Sequence, residues 1–299
     1  MKKITLFLIT SLLLVLYPGC PYAVSVTSSI DGGTVRITSE CRRLSQGEMV
    51  KVCLNSPGHL RSAVLSFGGK EYPFVPDGEG LGHFTLVALR VDMKPGTYDA
   101  IVRLESIRGT SKEIPFKLAI SRGAFLSKRI RVARHFTSPT PADIQRIHRE
   151  KELLDRIYQT SVPRWLCDGG FVMPLQGEVT GSYGERRVFN DEVASRHRGV
   201  DIRSPRGIPV KASNAGEVVL ARDLYFSGNT VIIHHGIGLF TIYCHLSKTI
   251  AQEGAAIDKG EVIGYTGSTG RSTGPHLHWG VRLIDEYVDP LSMTHLSFD

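Results

Sequence analysis

A chain of 299 residues with 41% hydrophobic and 22% charged side chains is long enough for two packed domains, and its ordinary balance excludes a disordered or low-complexity polymer. The formal net charge of +7 comes from 36 Lys and Arg against 29 Asp and Glu, with the cations dispersed in short groups such as Lys128-Arg129-Ile130-Arg131 and Arg186-Arg187. No nucleic-acid motif accompanies them, so DNA and RNA are excluded as partners and an anionic surface is the better match for the charge.

At the N-terminus Lys2 and Lys3 precede the apolar run Ile4 to Leu16, which is too short for an ordinary membrane span and has the layout of an export signal. Tyr17-Pro18-Gly19-Cys20 resembles a lipoprotein signal that ends in a lipidated Cys20; plain cleavage after Ala23 is the other route, and both predict an exported chain. Export implies an oxidising compartment. Cys41 and Cys53 lie beside the neighbouring strand-like runs Thr34 to Ile37 and Met49 to Leu54, so a disulfide between them is expected, with Cys167 and Cys244 as a second pairing.

From Ser25 to Ser121 short alternating runs recur: Ala63 to Phe67, Phe84 to Val91, Tyr98 to Leu104 and Ile114 to Ile120. Gly68-Gly69, Pro76-Asp77-Gly78 and Lys94-Pro95-Gly96 punctuate them. About seven strands in roughly a hundred residues predict an immunoglobulin-like β-sandwich over 24–122. Residues 123–165 read as a linker with one helix from Pro141 to Gln159. Thr140 is its N-cap, Pro141 its first residue, Asp143 lies in the first turn, and Ile144, Ile147, Leu154 and Ile157 form an apolar stripe.

Residues 166–299 read as a third segment, an antiparallel β domain. Strand-like runs follow one another: Glu178 to Tyr183, Val200 to Arg203, Val210 to Ala212, Glu217 to Ala221, Thr230 to His234, Leu239 to His245, Glu261 to Tyr265 and Leu277 to Leu283. The loops Ser182 to Arg196, Leu224 to Asn229 and Gly267 to Pro275 would rim a cleft. Three of these strands carry the chemistry. In an extended Gly274-Pro275-His276-Leu277-His278-Trp279-Gly280 the two imidazoles share one face and Leu277 and Trp279 the other. In His197-Arg198-Gly199-Val200-Asp201 the His, Gly and Asp share a face. In Tyr243-Cys244-His245-Leu246 strict alternation puts Tyr243 beside His245 and turns Cys244 away as a core residue. Strands that offer polar groups on one face are how a catalytic zinc site is assembled, with three protein ligands and one open position. No His-Glu-x-x-His occurs, which excludes the helical metalloprotease arrangement. His234 and His235, at a strand end beside Gly236, read as structural.

His-x-x-x-Asp, then Tyr-x-His-Leu, then Gly-Pro-His-Leu-His, in that order, resembles the lysostaphin-type (LytM-like) zinc metallopeptidases, which cut peptide bonds in bacterial peptidoglycan. The likeness runs from Phe171 to Pro290 and includes Gly207-Ile208-Pro209-Val210-Lys211-Ala212 and Gly267-Ser268-Thr269-Gly270. It implies one Zn2+ per chain held by His197, Asp201 and His278, with His245 and His276 as catalytic residues. Arg187, Asn190 and Tyr243 are candidate substrate contacts. Some relatives that cleave glycine bridges have a Tyr a few residues before the first zinc His, whereas this chain has Asp191 to Arg196 there and no Tyr. The implied activity is therefore a D,D-endopeptidase acting on D-alanyl–diaminopimelate cross-links, monomeric, in the periplasm or cell envelope, anchored through Cys20 if that residue is lipidated. Two other readings stand beside it: a non-catalytic relative that binds the wall or activates an amidase, and a wall-binding scaffold with a structural zinc. A closed structural site needs a fourth ligand, for which Asn190 or a residue from the N-terminal domain is a candidate and Cys244, by its face, is not.

Overall fold

The computed structural model describes residues 24–298 except 57, 78–81 and 161. The readings of the export signal and of Cys20 lie outside the described residues. No helix among those described is long and apolar enough to cross a membrane. The chain divides into two compact units. The first comprises 24–44, Val50–Val87 and Pro95–Ser121; the second takes everything from Arg122 onward together with Ser45–Met49 and Ala88–Lys94.

The first unit is built from two antiparallel sheets. One runs in the order Ser25–Ile30, Gly33–Glu40, Met49–Asn55, Gly82–Ala88, Val75–Pro76, and the other Lys70–Pro73, Leu60–Phe67, Gly96–Ser106, Ser111–Ile120. Alternation is clearest in the last strand, where Ile114, Phe116, Leu118 and Ile120 are buried and the residues between them are not. Pro115 lacks a ladder N–H and sits where that is tolerated, on an edge strand, flanked by Glu113 and Lys117, which discourage pairing with another chain. Neither expected disulfide, Cys41 with Cys53 or Cys167 with Cys244, is formed. Cys53 lies opposite Thr38, and Cys41 falls past the end of its strand, so the register separates them.

The second unit is organised on an eight-stranded sheet. Its path is Val179–Gly181, Gly199–Arg203, His276–Leu283, Leu239–Leu246, Gly228–His234, Gly216–Leu224, Ala256–Ile257, with Glu286–Val288 added beside His276–Leu283. Leu239–Leu246 is buried along its whole length, because both of its faces are covered. Tyr243 points to one side, where Val231, Leu277, Trp279 and Val281 are also buried. On the other side Phe240, Ile242 and Cys244 pack with Leu220, Leu224 and Ile232 beneath Leu153, Leu154, Ile157 and Tyr158 of the Pro141–Gln159 helix. The stretch read as a linker is thus part of the second unit. Thr140 and Asp143 close the helix start with the reciprocal bonds of a capping box, Asp143 N–H to Thr140 Oγ1 at 3.2 Å and Thr140 N–H to Asp143 Oδ2 at 3.1 Å. Ile144, counted in the apolar stripe, is 42% exposed; the packing stripe begins a few turns later.

The expected loop Ser182 to Arg196 is largely a hairpin of Arg186–Phe189 and Val193–Arg196, with Ser127–Ile130 added in parallel. Asn190 and Asp191 have φ of 51° and 62°, and Glu192 N–H donates to Phe189 O at 3.0 Å. Left-handed backbone at both central residues is what the tight hairpin turn requires, and Asn and Asp tolerate it best after Gly.

Candidate active site

Asp201, His278 and Cys244 lie side by side on three adjacent strands: Asp201 is the register partner of His278, and His278 of Cys244. Residues paired across a sheet point to the same face. That face carries a cavity of about 1170 Å³, walled further along by connector residues such as Ile130 and Val132 and by Leu154 and Tyr158 of the helix. His197, just before Gly199–Arg203, reaches into the same place. Its Nε2 is 3.0 Å from Asp201 Oδ1 and 2.9 Å from His278 Nδ1, which is itself 3.0 Å from Asp201 Oδ1.

The remaining ring nitrogens decide the tautomers. His197 Nδ1 is 2.8 Å from Ser182 O, His245 Nδ1 2.8 Å from Thr269 O, and His276 Nδ1 2.8 Å from Gly274 O. A carbonyl only accepts, so in each case Nδ1 carries the hydrogen, and in the neutral ring Nε2 keeps its lone pair. At the convergence point His197 Nε2 and the Asp201 carboxylate are then both electron-pair donors, and His278 Nδ1 brings at most one hydrogen to share between them. A cation at the centre satisfies all three. Two imidazole nitrogens and one carboxylate oxygen suit a borderline divalent ion and leave further positions open.

The surroundings keep these groups in ligand form. Burial pushes His278 down to about 4, against the opposing hydrogen bond to Asp201. Burial, then the charges of His276 and His278, push His245 down to about 3. Both rings are therefore neutral at pH 7. Burial resists ionisation of Asp201, yet the polar contacts with the His197 and His278 rings outweigh this and hold the carboxyl well below the usual carboxylate range. Arg187 adds a clamp: Nη2 is 2.8 Å from Asp201 Oδ2, and Nε and Nη2 lie 3.1 Å and 2.9 Å from Glu185 Oε2. The oxygen of Asp201 that does not face the histidines is thereby fixed.

His245 completes the cluster through a backbone irregularity. Its φ is 63°, and its N–H donates to Ser227 O at 2.8 Å rather than continuing the ladder. Left-handed backbone at a non-glycine residue is costly, about 1–3 kcal/mol, and is typical of functional sites. Here it breaks the alternation, so Cys244 and His245 both line the cavity. The ring centroid of His245 is 4.9 Å from that of His276 and 6.0 Å from that of His278. His276 Nε2 is 3.6 Å from Asp201 Oδ1.

Three sequence expectations change accordingly. Cys244 faces the cleft, not the opposite core, although its thiol lies outside the converging ligand set and burial raises it to about 12. Tyr243 faces away from the cleft: it is fully buried, and its hydroxyl accepts from Ser213 N–H at 2.8 Å. Asn190 contacts the connector instead of the cavity, its Nδ2 donating to Val132 O at 3.0 Å and its Oδ1 accepting from Val132 N–H at 3.0 Å. The carbonyls of Ser182, Thr269 and Gly274 belong to the site yet carry no signal in the sequence, because a backbone oxygen has no identity to read; the Glu185 carboxylate joins the site only through Arg187. Tyr243→Phe is expected to cost about 1–3 kcal/mol by stranding the buried Ser213 N–H, with metal content unchanged. Thermal melting alongside metal analysis checks this, and loss of metal without loss of stability would return Tyr243 to the site.

His235 and His234 stand apart from this cluster. His235 is fully buried with Nδ1 2.7 Å from Ala215 O and Nε2 2.7 Å from Thr241 Oγ1, and His234 stacks on Phe240 with centroids 4.6 Å apart.

With this geometry described, comparison with known proteins is informative. Residues 195–290 match the family model described as Peptidase family M23. Over 127 residues the chain is 45% identical to the DD-carboxypeptidase/endopeptidase Mpg of Neisseria meningitidis serogroup B, covering 42% of this chain and 29% of that protein. Over 102 residues it is 46% identical to the peptidoglycan DD-endopeptidase ShyA of Vibrio cholerae, covering 34% and 24%. The chain thus spans less than a third of the length of these relatives. A crystal structure described as a putative peptidase M23 from Pseudomonas aeruginosa is 27% identical with a TM-score of 0.63, covering 85% of this chain and 96% of that one.

Proposed function

We propose a function from one premise: residues 195–290 of this chain form a LytM-type domain of Peptidase family M23. The chain is a zinc-dependent endopeptidase of bacterial peptidoglycan, cutting D-alanyl–diaminopimelate cross-links in the cell envelope. The observation that carries this reading is the convergence of His197 Nε2, His278 Nδ1 and Asp201 Oδ1 within 3.0 Å of one another, beside two further histidines whose Nε2 lone pairs are free. The names of the relatives, DD-endopeptidases among them, support the choice of bond.

His197, Asp201 and His278 would hold the ion. Bound zinc supplies a Lewis acid and lowers the pKa of a water toward about 7. The protein residues do the rest. His245 and His276, each with its hydrogen on Nδ1, take a proton at Nε2 from the attacking water, and in the protonated form they donate to the oxyanion or to the leaving amine. Arg187 and Ser182 hold Asp201 and His197 in register. The bond between carbonyl carbon and nitrogen breaks, one water is consumed, and a carboxylate and an amine are released.

Digestion of purified sacculi by the zinc-loaded full chain, with mass analysis of the products, tests the reading. Expected are uncross-linked stem peptides, each cut leaving a new D-alanyl carboxylate and a new diaminopimelate amine. Sacculi that bind the protein but yield no new amine would favour a non-catalytic wall-binding role instead.

A further inference from the structure

The cavity that holds the metal-ligand cluster is lined by eight Lys or Arg side chains and by one carboxylate, that of Asp201. Several of the cations have partners of their own. Arg187 is held by Glu185 and Asp201, Arg203 by Glu178, and Arg129 and Arg131 share Asp191. Arg271 differs. Its guanidinium lies 4.1 Å from the centroid of Phe189 and 4.7 Å from that of Phe226, and its backbone N–H donates to Phe226 O at 2.8 Å. Among the described residues no carboxylate pairs with it, and the charged neighbour that bears on it is a like charge, Arg187. Burial, with Arg187 adding to it, pulls Arg271 down to about 10, the direction expected for a cation withdrawn from water without a counter-ion.

Aromatic contact engages the face of a guanidinium and leaves its N–H edge free, and that edge matches a carboxylate in a two-pronged pair. Arg271 is also anchored close to the reacting groups. It lies five residues before His276 in the loop that leads into the His276–Leu283 strand, and it lines the same cavity as Asp201 and His245.

We infer that Arg271, held on Phe189 and Phe226, is a substrate-anchoring residue that binds a free carboxylate of the peptide near the scissile bond. The inference rests on the peptidase reading above and narrows it: the substrate class is stem peptides with ionised carboxylates, as opposed to those in which the same groups are amidated. A half-buried cation without a carboxylate partner disfavours a ligand that leaves it unpaired, so the discrimination is against the amide as well as for the acid.

The test uses the zinc-loaded full chain and two synthetic probes, a cross-linked stem-peptide dimer with free carboxylates and the same dimer with those carboxylates as primary amides. Calorimetric binding and hydrolysis are both measured. The wild type is expected to prefer the acid form by about tenfold to a hundredfold in Kd, the scale of one charge-assisted pair. Arg271→Gln should lose that ratio by weakening acid binding, and Arg271→Lys should keep part of it, with melting curves showing that both variants fold. An Arg271→Gln protein that retains the preference overturns the assignment. So does a wild type that binds the two probes equally or binds neither, an outcome that needs no variant to fold. The two readings fail separately: an acid preference lost in Arg271→Gln without any cleavage keeps the subsite and removes the endopeptidase, while equal cleavage of both probes does the reverse.

Discussion

His197→Ala, Asp201→Ala and His278→Ala are each expected to purify folded, metal-poor and inactive, whereas His245→Ala and His276→Ala keep about one metal ion per chain, as a three-ligand site allows, and lose their activity all the same. The geometry separates the two groups. The first three place their ligand atoms within 3.0 Å of one another, and two of them are braced from behind, His197 by Ser182 O and Asp201 by Arg187. Removing one leaves two donors. His245 and His276 stand beside this cluster, so in the proposed mechanism their loss is expected to slow proton transfer, by about a hundredfold to ten-thousandfold for general acid–base catalysis, without dismantling the ligand set. Metal content by mass spectrometry, measured beside sacculus hydrolysis on proteins of verified fold, is the check. If His276→Ala loses the metal and His278→Ala keeps it, the two roles are exchanged.

The strands of the second unit were legible because their cores alternate: the runs expected at Thr230 to His234 and Leu277 to Leu283 agree with Gly228–His234 and His276–Leu283 to within two residues. The pairing of His276 with His278 on one face followed from the same period of two. That rule failed where one residue left the extended region. The left-handed backbone at His245 shifts the parity, so Tyr243 goes to the core and Cys244 comes to the cleft. Nothing in Tyr-Cys-His-Leu announces such a residue. The Arg186–Phe189 and Val193–Arg196 hairpin is a different kind of omission, since Asn190-Asp191 is a turn signal that was there to be read. Ser127–Ile130 could not be found by pattern, because Ser-Lys-Arg-Ile has no apolar alternation and owes its strand geometry to its neighbour. The helix at Pro141–Gln159 was visible from its cap and its stripe, but a stripe does not say what it covers. Here it covers Phe240 and Ile242, on the sheet face that also carries the cluster.

Gly199→Ala should weaken the metal site without removing a single ligand. Gly199 pairs with Gly280 at the start of its strand and lies directly against His278. A Cβ at position 199 would come within 2.9 Å of His278 Cε1 and Nε2, and closer still to the carbonyl oxygen of Trp279. The carbonyl belongs to the central pairing of the sheet and has no room to withdraw, since Trp279 itself is fully buried. The contact with the carbonyl is therefore relieved only if the Gly199 strand itself moves off, and the same methyl group displaces the imidazole, carrying Nδ1 away from His197 and Asp201. Overpacking of this kind costs about 1–3 kcal/mol in stability. A shift of one ångström in one of three ligands costs more in function, because the site depends on all three atoms meeting at one point. Gly199→Ala is expected to fold, to melt somewhat lower than the wild type, and to bind zinc more weakly by at least about tenfold, the scale seen when ligand orientation is disturbed. Competition with a chelator of known affinity measures the loss, and the melting curve of the metal-free proteins separates it from a general destabilisation. A Gly199→Ala protein with wild-type zinc affinity would mean that His278 has another way to accommodate the methyl group, and that the close approach of these two strands is not what sets its ring.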